Sequence, residues 1–219
     1  AMSEYAAARL NMVEGQIRPN KVTDQRLVDA MLDIPREQFV PKAARGFAYV
    51  DEDLAIGNGR YLMEPMVFAR MLQEVGIDET DVVLDIGSGS GYSTAVLARL
   101  AATVVGIESD AELARQATES LSAVGVDNAV VIAAPLTEGY PQQAPYDVIV
   151  IEGLVSEVPE GILAQMTEGG RLVAAVLGDR RVGEVKLFQR SGGVTSARTL
   201  FEAHPHPLPG FEAKPKFVF

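Results

Sequence analysis

The 219-residue chain contains no cysteine. Disulfide frameworks, thiolate metal sites and a cysteine nucleophile are therefore excluded. Its only histidines are His204 and His206, too few for a multi-histidine metal centre. Cations are scarce: 19 Lys and Arg face 30 Asp and Glu, a net charge of −11. A surface of that sign repels phosphate backbones and argues against a nucleic-acid partner. No apolar run approaches the roughly 20 residues of a membrane helix, so no membrane association is expected. The N-terminus has no basic region followed by an apolar core, so no secretory signal is expected. Ala1 ahead of Met2 reads as a cloning scar. These absences point to a soluble, cytoplasmic protein. What is present, 47% hydrophobic and 22% charged residues, is a globular balance. The length suffices for one domain, or one with an appendage, whose core needs no staples.

Residues 1–80 read as a mostly helical extension. Thr23 caps a helix on which Val22 packs against Leu27; Leu27, Val28, Met31 and Leu32 form its apolar face, and Pro35 ends it. Residues 50–64, with several charges and two close glycines, read as loop. Pro65 opens a second helix, whose apolar face is Val67, Phe68, Met71, Leu72 and Val75 and whose stop is Gly76. From residue 81 to the end the texture changes. Short apolar runs at 82–86, 103–107, 129–133, 147–151 and 171–177 alternate with helical stretches near 91–101, 111–124 and 159–167. Continuous Val/Ile/Leu runs between helices predict parallel strands buried on both faces. Segments 184–190 and 195–203, separated by Ser191-Gly192-Gly193, predict a closing antiparallel hairpin. The expected fold is α/β: a doubly wound, mostly parallel seven-stranded sheet with a helical N-terminal extension and a C-terminal antiparallel hairpin, folding as one structural unit.

The sharpest local signal is Asp85-Ile86-Gly87-Ser88-Gly89-Ser90-Gly91 between a strand and a helix. Glycines permit a sharp turn and close approach of a ligand, and the helix behind them presents free N–H groups. This is the nucleotide-site geometry of a doubly wound sheet. The dinucleotide pattern G-x-G-x-x-G is broken, because the third glycine comes one residue early and Tyr92 holds its place. Asp85 would repel a pyrophosphate but suits a ligand carrying an ammonium. Glu108, about 20 residues past the turn, ends the next strand where a carboxylate pairs with ribose hydroxyls. The carboxylate pair and the glycine spacing favour S-adenosylmethionine over NAD.

Several stretches together resemble the protein-L-isoaspartate O-methyltransferase family over nearly the whole chain. They are Met12-Val13-Glu14-Gly15-Gln16-Ile17, Ile34-Pro35-Arg36-Glu37-Gln38-Phe39-Val40-Pro41, Leu54-Ala55-Ile56-Gly57-Asn58-Gly59, the glycine turn through Tyr92, Ala144-Pro145-Tyr146-Asp147 and Glu168-Gly169-Gly170-Arg171-Leu172-Val173. The Pro-Arg-Glu-x-Phe-Val-Pro stretch is more specific than the turn. The resemblance implies a class I methyltransferase (Rossmann-like) fold, S-adenosyl-L-methionine as cofactor, and methyl transfer to isoaspartyl carboxyls of proteins or peptides. Cofactor-binding residues so implied are Asp85, Gly87, Ser88, Gly89, Gly91, Glu108, Pro135 and Leu136; no metal is implied.

Three departures from the family stand out. The family's Gln-Thr-Ile-Ser-Gln-Pro loop is here Arg60-Tyr61-Leu62-Met63-Glu64-Pro65. The functional serine falls on Met63, which cannot donate a hydrogen bond, and the threonine falls on Tyr61. Glu64 adds a charge that repels a carboxylate, and Arg60 either offsets it or engages another anion. In the adenine region, Gly-Asp-Gly becomes Ala134-Pro135-Leu136, losing a polar contact but leaving an apolar wall. After the fourth strand, Thr-Ala-Ala becomes Glu152-Gly153-Leu154, with Glu152 either in the pocket or on the surface. No catalytic residue is assigned; Arg60, Tyr61, Glu64 and Glu152 are the loop candidates. Isoaspartyl turnover is expected to be low. A methyltransferase with another acceptor, or a non-catalytic adenosylmethionine-binding protein, remains an alternative. Phe39 and Phe47 are expected in the core. His204 and His206 are expected to be structural or solvated, and Lys214 and Lys216 solvated.

Overall fold

The computed structural model describes residues 2–213; Lys214 and Lys216 lie outside them. The N-terminal part holds α1 (Glu4–Met12), α2 (Gln25–Asp33), β1 (Leu54–Gly57), β2 (Arg60–Leu62) and α3 (Pro65–Val75). Then follow β3 (Val82–Ile86), α4 (Tyr92–Ala98), β4 (Thr103–Glu108), α5 (Ala111–Ala123) and β5 (Ala129–Ala133). The chain continues with β6 (Tyr146–Val155), α6 (Glu160–Leu163), β7 (Met166–Leu177), β8 (Gly183–Ser191) and β9 (Val194–Glu202). Seven strands form one sheet in the order β5-β4-β3-β6-β7-β8-β9. Neighbours from β5 to β7 are parallel, and β7, β8 and β9 are antiparallel. Strand order reverses between β3 and β6, the position at which open α/β sheets form a ligand cleft. Strands β3 and β6 are mostly apolar because both faces are covered; Val83, Leu84, Ile86, Val148, Ile149, Val150 and Ile151 are fully buried. No helix among the described residues is long and apolar enough to cross a membrane.

Four local expectations need correction. The segment read as loop contains the antiparallel pair β1–β2. Gly57, Asn58 and Gly59 all adopt positive φ, which closes a tight turn between Ile56 and Arg60, both buried. The cap of α2 is Asp24, whose carboxylate accepts from the Arg26 amide at 3.0 Å, while the Thr23 amide donates to Gln73. The helix expected over 159–167 is only α6, because β7 starts at Met166 and takes the rest. Phe47 is 61% exposed, whereas Phe39 is buried as expected.

The Pro-Arg-Glu stretch owes its identity to burial. Arg36 has no exposed surface. Its Nε donates to the Ala48 carbonyl at 2.6 Å and its Nη2 to the Met63 carbonyl at 3.0 Å. The guanidinium lies 4.8 Å from the centre of the Tyr92 ring, a cation–π contact. It thus ties the loop ahead of α3 to the helix behind the glycine turn. Arg36→Ala is expected to destabilise the fold by about 3 kcal/mol or more, since two buried carbonyls lose their donor and a cavity opens. Urea denaturation measures this; a change below about 1 kcal/mol would show that the contacts contribute little.

Candidate cofactor and acceptor site

The glycine turn leaves β3 at the cleft. Gly87, Gly89 and Gly91 all have positive φ. The amides of Gly87 and Ser88 both donate to the Ile107 carbonyl, at 2.9 and 3.1 Å, tying the turn to β4. A Cβ on Gly91 would stand 3.1 Å from that of Ala117, so this glycine lets α4 and α5 approach. Glu108, the last residue of β4, is fully buried under the turn. Its Oε1 accepts from the Gly89 amide and its Oε2 from the Asp110 amide, both at 2.8 Å. Oε2 also pairs with Nη1 of Arg60, 5% exposed, which the β1–β2 hairpin delivers over the turn.

The space above the turn is tight. The cavity bounded by Gly87, Gly89, Tyr61, Met63, Tyr92 and Glu152 encloses only ≈ 10 Å³, about one water. A Cβ on Gly87 would come 2.9 Å from Leu208, and one on Gly89 2.9 Å from Ile56. The hairpin and the C-terminal segment therefore pack directly on the turn. Leu208 is anchored because its amide donates to the Leu154 carbonyl at 3.0 Å.

Asp85 and Glu152 come from β3 and β6, one from each side of the reversal. Asp85 Oδ2 accepts from Ser93 at 2.6 Å and Thr94 at 2.8 Å. Of the two readings for Glu152, the buried one holds: it is 8% exposed and lines the cavity. Burial, and then the neighbouring Asp85 charge, pushes its carboxyl well above the usual range.

The rewritten loop divides between two environments. Met63 is buried and lines the cavity. Tyr61 lines it too, and its ring stacks on His206 with centroids 3.6 Å apart and 12° between planes. Glu64 sits outside the cavity, half-buried, with its amide donating to Asp53 at 2.8 Å. Burial and the neighbouring Asp51, Asp53 and Glu52 push its carboxyl up to about 7. Asp53 also holds His206 Nδ1 at 2.7 Å. His204 Nδ1 accepts from the Gly183 amide at 3.2 Å, a structural role as expected. Leu136 is buried, whereas Pro135 beside it is exposed. No sequence motif marks Asp53 or Leu208, and Ile56 is marked only as part of the 54–59 stretch, because each acts through a partner distant in the chain. Among the described residues no cluster of three or more His, Asp or Glu is arranged to hold a metal.

Comparison with known proteins matches most of the sequence and the fold. A family model described as Protein-L-isoaspartate(D-aspartate) O-methyltransferase (PCMT) matches residues 8–208. A protein-L-isoaspartate O-methyltransferase of Methanoculleus marisnigri is 44% identical over 187 residues, 85% of this chain and 84% of that one. A solved protein-L-isoaspartate O-methyltransferase superposes with a TM-score of 0.80 at 27% identity, covering 92% of this chain and 66% of that one. A Plasmodium falciparum structure of the same description, in complex with S-adenosyl-L-homocysteine, has a TM-score of 0.79 at 20% identity and covers 93% and 97%. The chain therefore belongs to the protein-L-isoaspartate O-methyltransferase family.

Proposed function

We propose that the protein transfers the methyl group of S-adenosylmethionine to a carboxylate of a protein or peptide, with the isoaspartyl carboxyl of its relatives as acceptor. The observation that carries this is the buried Glu108 beneath a positive-φ glycine turn, at the carboxyl ends of β4 and β3, in a chain matched to the family from residue 8 to 208. The bound cofactor supplies an electrophilic sulfonium methyl. A carboxylate acceptor is already a nucleophile and asks for no base, so the chain's task is alignment. Glu108 would take the ribose hydroxyls, the glycine turn the chain linking ribose to the amino-acid end, and Leu136 the adenine face.

The donor chemistry fits the cofactor on one condition. A carboxylate offers about four lone-pair positions. On Glu108 three are taken, by Gly89, Asp110 and Arg60. A ribose diol needs two, so Arg60 must swing away for both hydroxyls to bind. Calorimetric titration with S-adenosylhomocysteine tests the reading. Binding is expected, weaker than usual for the family because Pro135 has no N–H or carboxylate for the adenine amino group. No heat and no thermal shift at millimolar ligand would overturn it.

Glu64 makes turnover and stability depend on pH. Ionised, it adds repulsion beside the acceptor entrance, so kcat/KM for an isoaspartyl peptide is expected to fall as pH rises through about 7. In the fold Glu64 holds its proton to about 7, against 4.5 for an unperturbed glutamate. The folded state then binds more protons across that window, so stability falls as pH climbs through it and levels off above. Glu64→Gln is expected to flatten both profiles. A wild-type rate profile unchanged by the substitution would exclude Glu64 as the source.

A further inference from the structure

Asp85 and Glu152 are both buried, and their carboxyls flank the reversal in strand order. Strand β6 bulges here: Val150 pairs with Val173 but Leu154 with Ala175, so three residues of β6 stand opposite one of β7. Such a bulge re-aims side chains, and Glu152 is the one it turns into the cavity. Gly153 permits this, since a Cβ there would fall 2.6 Å from Leu208. Asp85 Oδ1 and Glu152 Oε1 are buried without a hydrogen-bond donor among the described residues. Burial pushes both carboxyls up, and two adjacent buried carboxyls do not both ionise. Hydrogen bonds from Glu152, Ser93 and Thr94 lower Asp85 in part, but burial outweighs them. Glu108 on β4 raises Asp85 further, Arg60 on the hairpin is paired to Glu108, and burial keeps the Tyr92 phenol neutral. Burial and mutual proximity therefore favour a proton shared by the pair, with Glu152 at the cavity wall and Asp85 behind it.

We propose that Asp85 and Glu152 together form a clamp for a ligand ammonium group, the α-amino group at the amino-acid end of the adenosyl cofactor, and that docking this group expels the pair's shared proton to solvent. The proposal rests on the cofactor reading above. The arriving cation takes the place of the proton: one positive charge enters, one proton leaves, and both carboxylates are ionised and hydrogen-bonded in the complex. Recognition is shifted from the adenine end, where Pro135 stands, to the amino-acid end.

The test is calorimetry of S-adenosylhomocysteine at neutral pH in two buffers of different ionisation enthalpy, repeated with 5′-methylthioadenosine, which lacks the amino acid. Expected are net proton release on binding, affinity that rises with pH, and weaker, pH-independent binding of methylthioadenosine. Glu152→Gln, checked for folding by circular dichroism, is expected to bind S-adenosylhomocysteine about tenfold more weakly with no proton release. Equal heats in both buffers, or equal affinity for the two ligands, overturns the clamp and leaves the cofactor reading standing. Failure of both ligands to bind overturns the two together.

Discussion

Glu108→Ala is expected to abolish measurable S-adenosylhomocysteine binding and to destabilise the fold at the same time. The affinity loss follows from removing a charged acceptor of two hydroxyl hydrogen bonds, each worth about 1.5–3 kcal/mol, so at least a hundredfold is expected. The stability loss has a separate cause. Glu108 is fully buried, and its removal leaves the Arg60 guanidinium and the amides of Gly89 and Asp110 without their acceptor. Breaking a buried pair from one side costs about 3–5 kcal/mol, roughly 10 °C in melting temperature for a chain of this size. The double variant Arg60→Met, Glu108→Gln removes the orphaned cation and is expected to recover most of that loss but not the binding. Arg60→Met alone is expected to tighten S-adenosylhomocysteine binding, because Glu108 then has two positions free. Equal melting temperatures for Glu108→Ala and the double variant would show that the pair contributes nothing to stability. Unchanged ligand affinity in Glu108→Ala would move the ribose elsewhere.

The second large effect is on turnover. An isoaspartyl carboxylate entering the cavity must exchange water for protein donors, and Met63 offers a thioether where the family has a serine hydroxyl. An unpaired buried polar group costs about 1–3 kcal/mol, more when charged, and Glu64 adds repulsion in the same direction. A combined loss of about 3–4 kcal/mol lowers kcat/KM by some hundreds of fold. The triple variant Tyr61→Thr, Met63→Ser, Glu64→Gln is expected to regain about a hundredfold on an isoaspartyl peptide. It also gives up a buried methionine and the Tyr61–His206 stack, so the assay belongs well below its melting temperature. A variant that binds S-adenosylhomocysteine like wild type yet gains no rate would clear the loop and place the barrier at Glu152.

The residues that were readable in the sequence are those whose chemistry is local. The glycine turn, its strand and Glu108 stand at fixed spacing within one βαβ unit, and the parallel strands show as unbroken apolar runs because both faces are covered. Tertiary partnerships were not readable. Asp53 and His206 lie 153 residues apart in the chain, and nothing in either neighbourhood announces the other. The role of Arg60 depends on the β1–β2 hairpin, whose Gly57-Asn58-Gly59 turn reads as loop in the sequence. Glu152 stayed open between pocket and surface because a bulge in β6 decides it, and a bulge leaves no trace in hydrophobic pattern. Phe47 shows the opposite: its apolar character suggests burial, yet it is 61% exposed.

The most direct measurement is transfer of labelled methyl from S-adenosylmethionine to two peptides that differ only in an isoaspartyl or an ordinary aspartyl linkage. Expected is slow labelling of the isoaspartyl peptide alone, in a form released as methanol by mild base, the behaviour of a carboxyl methyl ester. No label after prolonged incubation with protein that binds S-adenosylhomocysteine, equal labelling of both peptides, or a base-stable product would contradict methyl transfer to an isoaspartyl carboxylate.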